Sequence, residues 1–279
     1  YSRAGNPTRT SLEENICSLE GGEDAVSFAS GLAAISSIIQ LFRSGDHIIF
    51  TENVYGGTYR LLDTIMKKFG VEQSWVDTSS IDKIKSAIQP NTKLIFIETP
   101  TNPMMLLSDI KAICDLAKQH NILVAIDNTF LSPYFQRPLE LGADIIIHST
   151  TKYLNGHSDV IGGAVVVKDK EIGETLHYIQ MSVGAVPGPF DCWLTQRSIK
   201  TLHLRMPRHD ENGRAIADYL SQSSKINKVF YPGLENHPQH ELAKKQQLDP
   251  DGNPGFGAMI SIDLGSFDKA SEFIRHLDI

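Results

Sequence analysis

The sequence predicts an α/β fold: a mostly parallel sheet with helices on both faces, followed by the start of a smaller α+β domain. Three observations predict it. Short runs rich in Ile and Val alternate with longer helical patterns through the first two-thirds of the 279 residues. The runs are continuously apolar, as strands covered on both faces are. After about residue 190 this alternation gives way to long helical stretches and Pro/Gly-rich turns.

The elements follow in order. Strands are expected at Ala25–Ala29, His47–Thr51, Lys93–Glu98, Ile122–Asp127, Ala143–His148 and Gly163–Val167. Between them, helices are expected at Leu32–Phe42, Thr58–Phe69, Ile81–Ile88 and Asp109–His120, the last with Ser108 as its N-cap. Further on, Leu194–Leu204 reads as helix, breaks at Pro207 and resumes over Glu211–Ser221. A strand at Lys228–Tyr231, a Pro/His-rich turn at Pro232–His240, a loop at Asp249–Gly257, a strand at Ala258–Asp263 and a helix from Asp268 follow. Residues 1–203 read as a large domain with an N-terminal arm over 1–10, and residues 204–279 as the beginning of a second domain. The chain opens on Tyr1 and reaches Ile279 where a further element is expected, so it reads as an internal piece of a longer protein.

Composition narrows the function classes. There are 26 Lys and Arg against 33 Asp and Glu, a formal net charge of −7. That balance does not favour nucleic acid or an anionic membrane as the main partner. No apolar run reaches membrane-spanning length, in keeping with a mean hydropathy of −0.17. Cys17, Cys114 and Cys192 are too few and too scattered for a disulfide framework or a zinc site, so a reducing, cytoplasmic setting is expected.

In open α/β sheets ligands lie beyond the carboxyl ends of the strands. Here those ends carry Ser30-Gly31-Leu32, Asn53-Val54-Tyr55-Gly56-Gly57-Thr58, Glu98-Thr99-Pro100-Thr101-Asn102-Pro103, Asp127-Asn128-Thr129 and His148-Ser149-Thr150-Thr151-Lys152. Ser30-Gly31 opens a helix and reads either as an ordinary cap or as an anion site of free N–H groups, which Ser149 and Thr151 hydroxyls could close. Lys152, directly after a strand, has the position of an amine that forms Schiff bases when partly desolvated. Asp127 ends an apolar strand; it either caps the next turn or meets a cationic partner such as a protonated pyridine nitrogen. G-x-G-x-x-G, G-x-x-x-x-G-K-[ST] and G-x-S-x-G are all missing, which removes dinucleotide, P-loop and nucleophile-elbow readings. His237-Pro238-Gln239-His240 reads as a solvated turn rather than a metal site, and Asp249-Pro250-Asp251-Gly252-Asn253 lacks the glycine and glutamate of a calcium loop.

Four stretches carry a family resemblance: Tyr1–Thr8, Val54–Thr58, Glu98–Pro103 and Ser149–Asp159. In this order they resemble the trans-sulfuration (Cys/Met metabolism) family of pyridoxal 5'-phosphate enzymes, and the similarity covers essentially the whole chain. The resemblance implies a fold-type I enzyme with a seven-stranded sheet and a smaller C-terminal domain. It implies Lys152 as the Schiff-base lysine, Asp127 on the pyridine nitrogen, Tyr55 stacked on the ring and Asn102 near the ring hydroxyl. Gly31, Leu32, Ser149 and Thr151 match phosphate ligands, while Tyr1 and Arg3 match residues reaching the phosphate of a neighbouring subunit. A homotetramer built as a dimer of dimers, with shared sites, is therefore implied. Arg60 matches a substrate-binding arginine; Arg3, Tyr55 and Asn102 also border the substrate. The catalytic set is Lys152, Tyr55 and Asp127.

Ser182–Pro187, Lys200–Met206 and Tyr231–Glu241 favour the members that split L-cystathionine at Cγ into L-cysteine, 2-oxobutanoate and ammonia, with hydrogen sulfide from cysteine as a further product. Members that make cystathionine, or cleave it at Cβ, share the cofactor and remain alternatives. Members acting on methionine carry a cysteine two residues after the ring tyrosine, where this chain has Gly57. The family's arginine for the substrate carboxylate is expected beyond Ile279.

Overall fold

The structure, a computed structural model, describes residues 1–278; Ile279, with the element expected there, lies outside the described residues. The chain runs α1 (Pro7–Glu20), β1 (Asp24–Phe28), α2 (Gly31–Ile39), β2 (His47–Thr51), α3 (Gly56–Arg60), β3 (Glu72–Val76), α4 (Ile81–Ala87), β4 (Thr92–Glu98), α5 (Ile110–Gln119) and β5 (Leu123–Asp127). It continues through α6 (Ser132–Phe135), β6 (Ile145–His148), β7 (Gly163–Val167), α7 (Lys170–Val183), α8 (Pro189–Ile199), α9 (Leu202–Ser221), β8 (Lys228–Phe230), α10 (His240–Gln246), β9 (Ser261–Asp263) and α11 (Phe267–Arg275).

Seven strands form one sheet in the order β1-β7-β6-β5-β4-β2-β3. Only β7 runs against its neighbours, pairing antiparallel with both β1 and β6. β4 shows why the sheet needs cover on both faces. Ile95 and Ile97 enter one apolar layer with Leu12, Ile16, Ile110 and Ile113 of α1 and α5, whereas Leu94 and Phe96 enter the other with Ile35, Ile38 and Leu176 of α2 and α7. Each such aliphatic side chain, once out of water, stabilises the fold by roughly 2 kcal/mol.

The C-terminal segment adds a third cluster of Ala217, Val229, Tyr231, Ala243 and Phe256 packed with Leu107. Two glutamines bind it to the strand-β4 side. Gln239 accepts from Leu107 N–H (3.1 Å) and donates to the Leu107 carbonyl (2.9 Å). Gln246 accepts from Ile110 N–H (2.9 Å) and donates to the Ser108 carbonyl and to Gln136.

Several expectations are corrected. α1 begins at Pro7, inside the stretch read as an arm, because Asn6 accepts from Thr8 and Arg9 N–H and so starts the helix. β3 was not foreseen: it is an edge strand with no fully apolar run. Asp109, not Ser108, caps α5 by accepting from Ala112 N–H, while the Ser108 hydroxyl pairs with Thr78. Thr58–Phe69 is not one helix; after α3 it loosens into a π turn (Leu61–Ile65) and a 3-10 turn (Met66–Phe69). α9 passes through Pro207 unbroken, held by buried Met206 and by Arg205, which bonds back to Thr201 and the Ser198 carbonyl. The final strand shortens to Ser261–Asp263. The turn with His237 is not solvated: His237 is buried against the Met105 carbonyl, and His240 contacts that of Pro232.

Candidate active site

The carboxyl ends of β1, β2, β4, β5 and β6 gather the chemistry along one rim. Ser30 caps α2 by accepting from Ala33 N–H (3.1 Å), leaving the N–H groups of Gly31 and Leu32 at the positive end of the helix. The Ser149 loop crosses this helix end so closely that a Cβ on Gly31 would lie 3.0 Å from Ser149 Cβ and 3.3 Å from its Oγ. Ser149 is held by its own N–H, which donates to Thr129 Oγ1 (2.8 Å). The Thr151 hydroxyl meets Gly162, donating to its carbonyl and accepting from its N–H (3.0 Å). Gly31, Leu32, Ser149 and Thr151 thus come together.

Next along the rim stands Asp127. Thr129 N–H donates to its Oδ1 (3.1 Å). Burial holds its carboxyl above the usual range, while Thr129 and the charge of His148 pull the other way. Among the described residues no cation forms an ion pair with it. His148 pairs instead with Glu20 (2.5 Å), both being fully buried. Glu98, the register partner of Asp127 across β4 and β5, accepts from Tyr55 N–H (2.9 Å) and Asn102 N–H (2.8 Å). Tyr55 and Asn102 are therefore brought to the same acid, with the Tyr55 ring 49% exposed above buried Gly57. A Cβ on Gly57 would come within 2.4 Å of that ring.

Lys152 is exposed on the turn that follows β6; its N–H donates to the Ser149 carbonyl (3.1 Å) and its carbonyl accepts from Gly156 N–H (2.7 Å). Arg205 grips the next two carbonyls, those of Tyr153 (2.7 Å) and Leu154 (3.4 Å). Arg60 ends α3, exposed. Tyr1 and Arg3 stand apart: Arg3 contacts the Tyr1 hydroxyl and the Met181 carbonyl at the end of α7, and Tyr1 is 88% exposed. Glu98, Thr129, Glu20, His148 and Arg205 were not singled out as site residues. Glu98 ends its strand as Asp127 does, and the strand-end rule could have found it. A cleft lined by Lys111, Cys114, Lys118 and Asp144 lies at the amino end of β5, away from this rim.

The donor set fits pyridoxal 5'-phosphate. A helix terminus whose glycine lies tight against a serine suits a phosphate. A half-buried carboxylate without a cation suits a protonated ring nitrogen. The fold and rim define an α/β enzyme that uses an anionic, aromatic cofactor.

Comparison with known proteins agrees. The profile of the Cys/Met metabolism PLP-dependent enzymes matches residues 1–279. A cystathionine gamma-lyase of Bacillus subtilis is 51% identical over 279 residues, 100% of this chain and 72% of that protein. A cystathionine beta-lyase of Lactococcus lactis is 49% identical over 277 residues, 99% of this chain and 71% of its own length. The crystal structure of a cystathionine gamma-lyase from Lactobacillus plantarum complexed with L-serine superposes with a TM-score of 0.95 at 47% identity, covering 100% of this chain and 72% of that one. The chain belongs to the family of Cys/Met metabolism PLP-dependent enzymes, with the fold-type I architecture and pyridoxal 5'-phosphate as its cofactor.

Proposed function

We propose that this carbon–sulfur lyase cleaves L-cystathionine, with water, to L-cysteine, 2-oxobutanoate and ammonia. The reading rests on one observation above all: the rim sets Lys152 after β6 and the cation-free acid Asp127 at the end of β5 within one family whose gamma-lyase members share about half of this sequence. Beta cleavage, to homocysteine, pyruvate and ammonia, is the second reading, favoured by the Lactococcus relative. The cystathionine-forming reaction is a further alternative, and a scaffold without turnover is countered by the intact Lys152 and Asp127.

When bound, pyridoxal phosphate supplies an electron sink for charge developing at the substrate Cα. The residues around it divide the work. The N–H groups of Gly31 and Leu32 with the hydroxyls of Ser149 and Thr151 hold its phosphate. Asp127 would hold the proton of the ring nitrogen, and Tyr55 and Asn102 would hold the ring itself. Lys152 carries the amine that binds the cofactor and, once free, takes the proton from the substrate Cα. The Tyr55 phenol, on the same rim, is the best-placed group to help move protons at the substrate. Arg60, with Arg3, Tyr55 and Asn102, borders the substrate.

Tyr1 and Arg3, which stand apart from their own rim, would reach the phosphate of an adjacent subunit, in a tetramer of two site-sharing dimers. Residues 1–203 form the cofactor domain and 204–279 begin the second. The three cysteines are free, which supports a cytoplasmic location; no helix among the described residues is long and apolar enough to cross a membrane. A product assay on cystathionine tests the function. 2-Oxobutanoate with cysteine supports the reading, pyruvate with homocysteine selects the second, and neither pair overturns both.

A further inference from the structure

Glu98 is the acid on this face to which the reading above gives no task. It is 6% exposed, and both of its oxygens are engaged: Oε2 by Tyr55 N–H and Oε1 by Asn102 N–H. Those two N–H groups come from different loops, one entering α3 and the other following β4. Among the described residues no other hydrogen bond joins the two loops. A buried carboxyl group is costly where it only fills space, whereas one whose two oxygens face two backbone N–H groups makes directional contacts. Among the described residues the Tyr55 side chain makes no hydrogen bond of its own, so the backbone N–H held by Glu98 is the polar anchor of this residue.

We propose that Glu98 is a positioning residue: by accepting both N–H groups it fixes the Tyr55 loop against the Asn102 loop, and so sets the walls between which the cofactor ring is held. The inference rests on the assignment of Tyr55 and Asn102 to that ring. Its role is mechanical. Glu98 touches neither substrate nor cofactor, and it acts through the two backbone groups it binds.

Two variants test it. Glu98→Gln puts an N–H2 group where one acceptor stood. Glu98→Asp keeps a carboxylate beside Asp127 but is one methylene short of spanning both loops. Hydrogen exchange at the Tyr55 and Asn102 amides is measured with pyridoxal phosphate bound and after its removal, alongside cofactor affinity and the visible circular dichroism of the bound cofactor. The clamp predicts that at least one of the two amides exchanges at least ~10-fold faster in each folded variant, that affinity falls by a similar factor, and that the dichroic band weakens. Unchanged exchange at both amides overturns the clamp, whatever the activity. Faster exchange with unchanged affinity and dichroism overturns instead the assignment of Tyr55 and Asn102 to the ring. Where the Gln variant unfolds, the Asp variant carries the same test.

Discussion

Glu98 and Asp127 are register partners on neighbouring parallel strands, so two acids end side by side on one face of the sheet. Neighbouring strands lie about 4.8 Å apart, close enough for one charge to oppose the other in a site with little water. Glu98 is pushed up to about 8, first by burial and then by the charge of Asp127, against the pull of the Tyr55 and Asn102 N–H groups.

That shift has a sign that can be measured. In the cofactor-free chain, folded Glu98 keeps its proton across a window from its ordinary 4.5 to about 8, where the unfolded chain has lost it. The folded state then binds more protons, so this group makes stability fall as pH rises through the window. Urea unfolding of the cofactor-free protein across that range should show a shallower decline for Glu98→Gln than for the native chain. Equal slopes would mean that Glu98 titrates as it does when unfolded.

Asp127→Asn should still bind pyridoxal phosphate, because the α2 terminus and Ser149 are untouched. It loses the charge that holds the ring nitrogen protonated, and turnover should drop by two to three orders of magnitude, about 3–4 kcal/mol, as for removal of a preorganised charged contact. A kcat within a few-fold of the native value would reduce Asp127 to a cap on Thr129.

Lys152→Ala should abolish nearly all turnover and the visible absorption of lysine-bound cofactor. The side chain is exposed, so the melting temperature of the cofactor-free protein should barely move. Normal turnover in this variant would remove Lys152 from the mechanism.

Gly57→Ala tests the seat of the tyrosine. The new Cβ would stand 2.4 Å from Tyr55 Cε1 and 3.0 Å from Cζ, so the ring must swing away. Because that ring is half exposed, the cost to folding should stay within about 1 kcal/mol. The loss should appear in catalysis, about 10-fold or more in kcat/KM, on the scale of a misplaced positioning group. A native kcat/KM would show that the ring's resting place is immaterial.

A site completed by Arg3 of an adjacent subunit predicts complementation. Arg3→Ala and Lys152→Ala homomers should each be weak or inactive, whereas mixed dimers should regain activity in the one site that combines both native residues. Proven subunit exchange without any recovery would rule out a shared site.

Much of the fold was legible because buried parallel strands advertise themselves. Ile48–Phe50 inside His47–Thr51 and the whole of Gly163–Val167 are apolar runs, and the structure keeps the bounds of both strands. β3 escaped because an edge strand, half exposed, has no need of such a run. α1 escaped for the opposite reason: its hidden face includes Arg9, Glu13 and Glu20 beside Leu12 and Ile16, so burial leaves no clean apolar stripe. At the site, Gly31, Ser149 and Asp127 could be read from strand ends alone. The work of Glu98 could not, since its partners are backbone groups that contain no sequence signal, delivered by loops more than forty residues apart in one case.

The amide handshakes of Gln239 and Gln246 with Leu107, Ser108 and Ile110 have a bearing on how the molecule comes apart. Peeling α10 from the sheet side would strand several donors and acceptors in a dry seam, at about 1–3 kcal/mol apiece. A single proteolytic nick at the exposed Glu235 and Asn236, ahead of both glutamines, should therefore leave two fragments that travel as one particle through a sizing column and part only in denaturant. The last segment is keyed into the body like a dovetail, and cutting the ribbon does not open the joint.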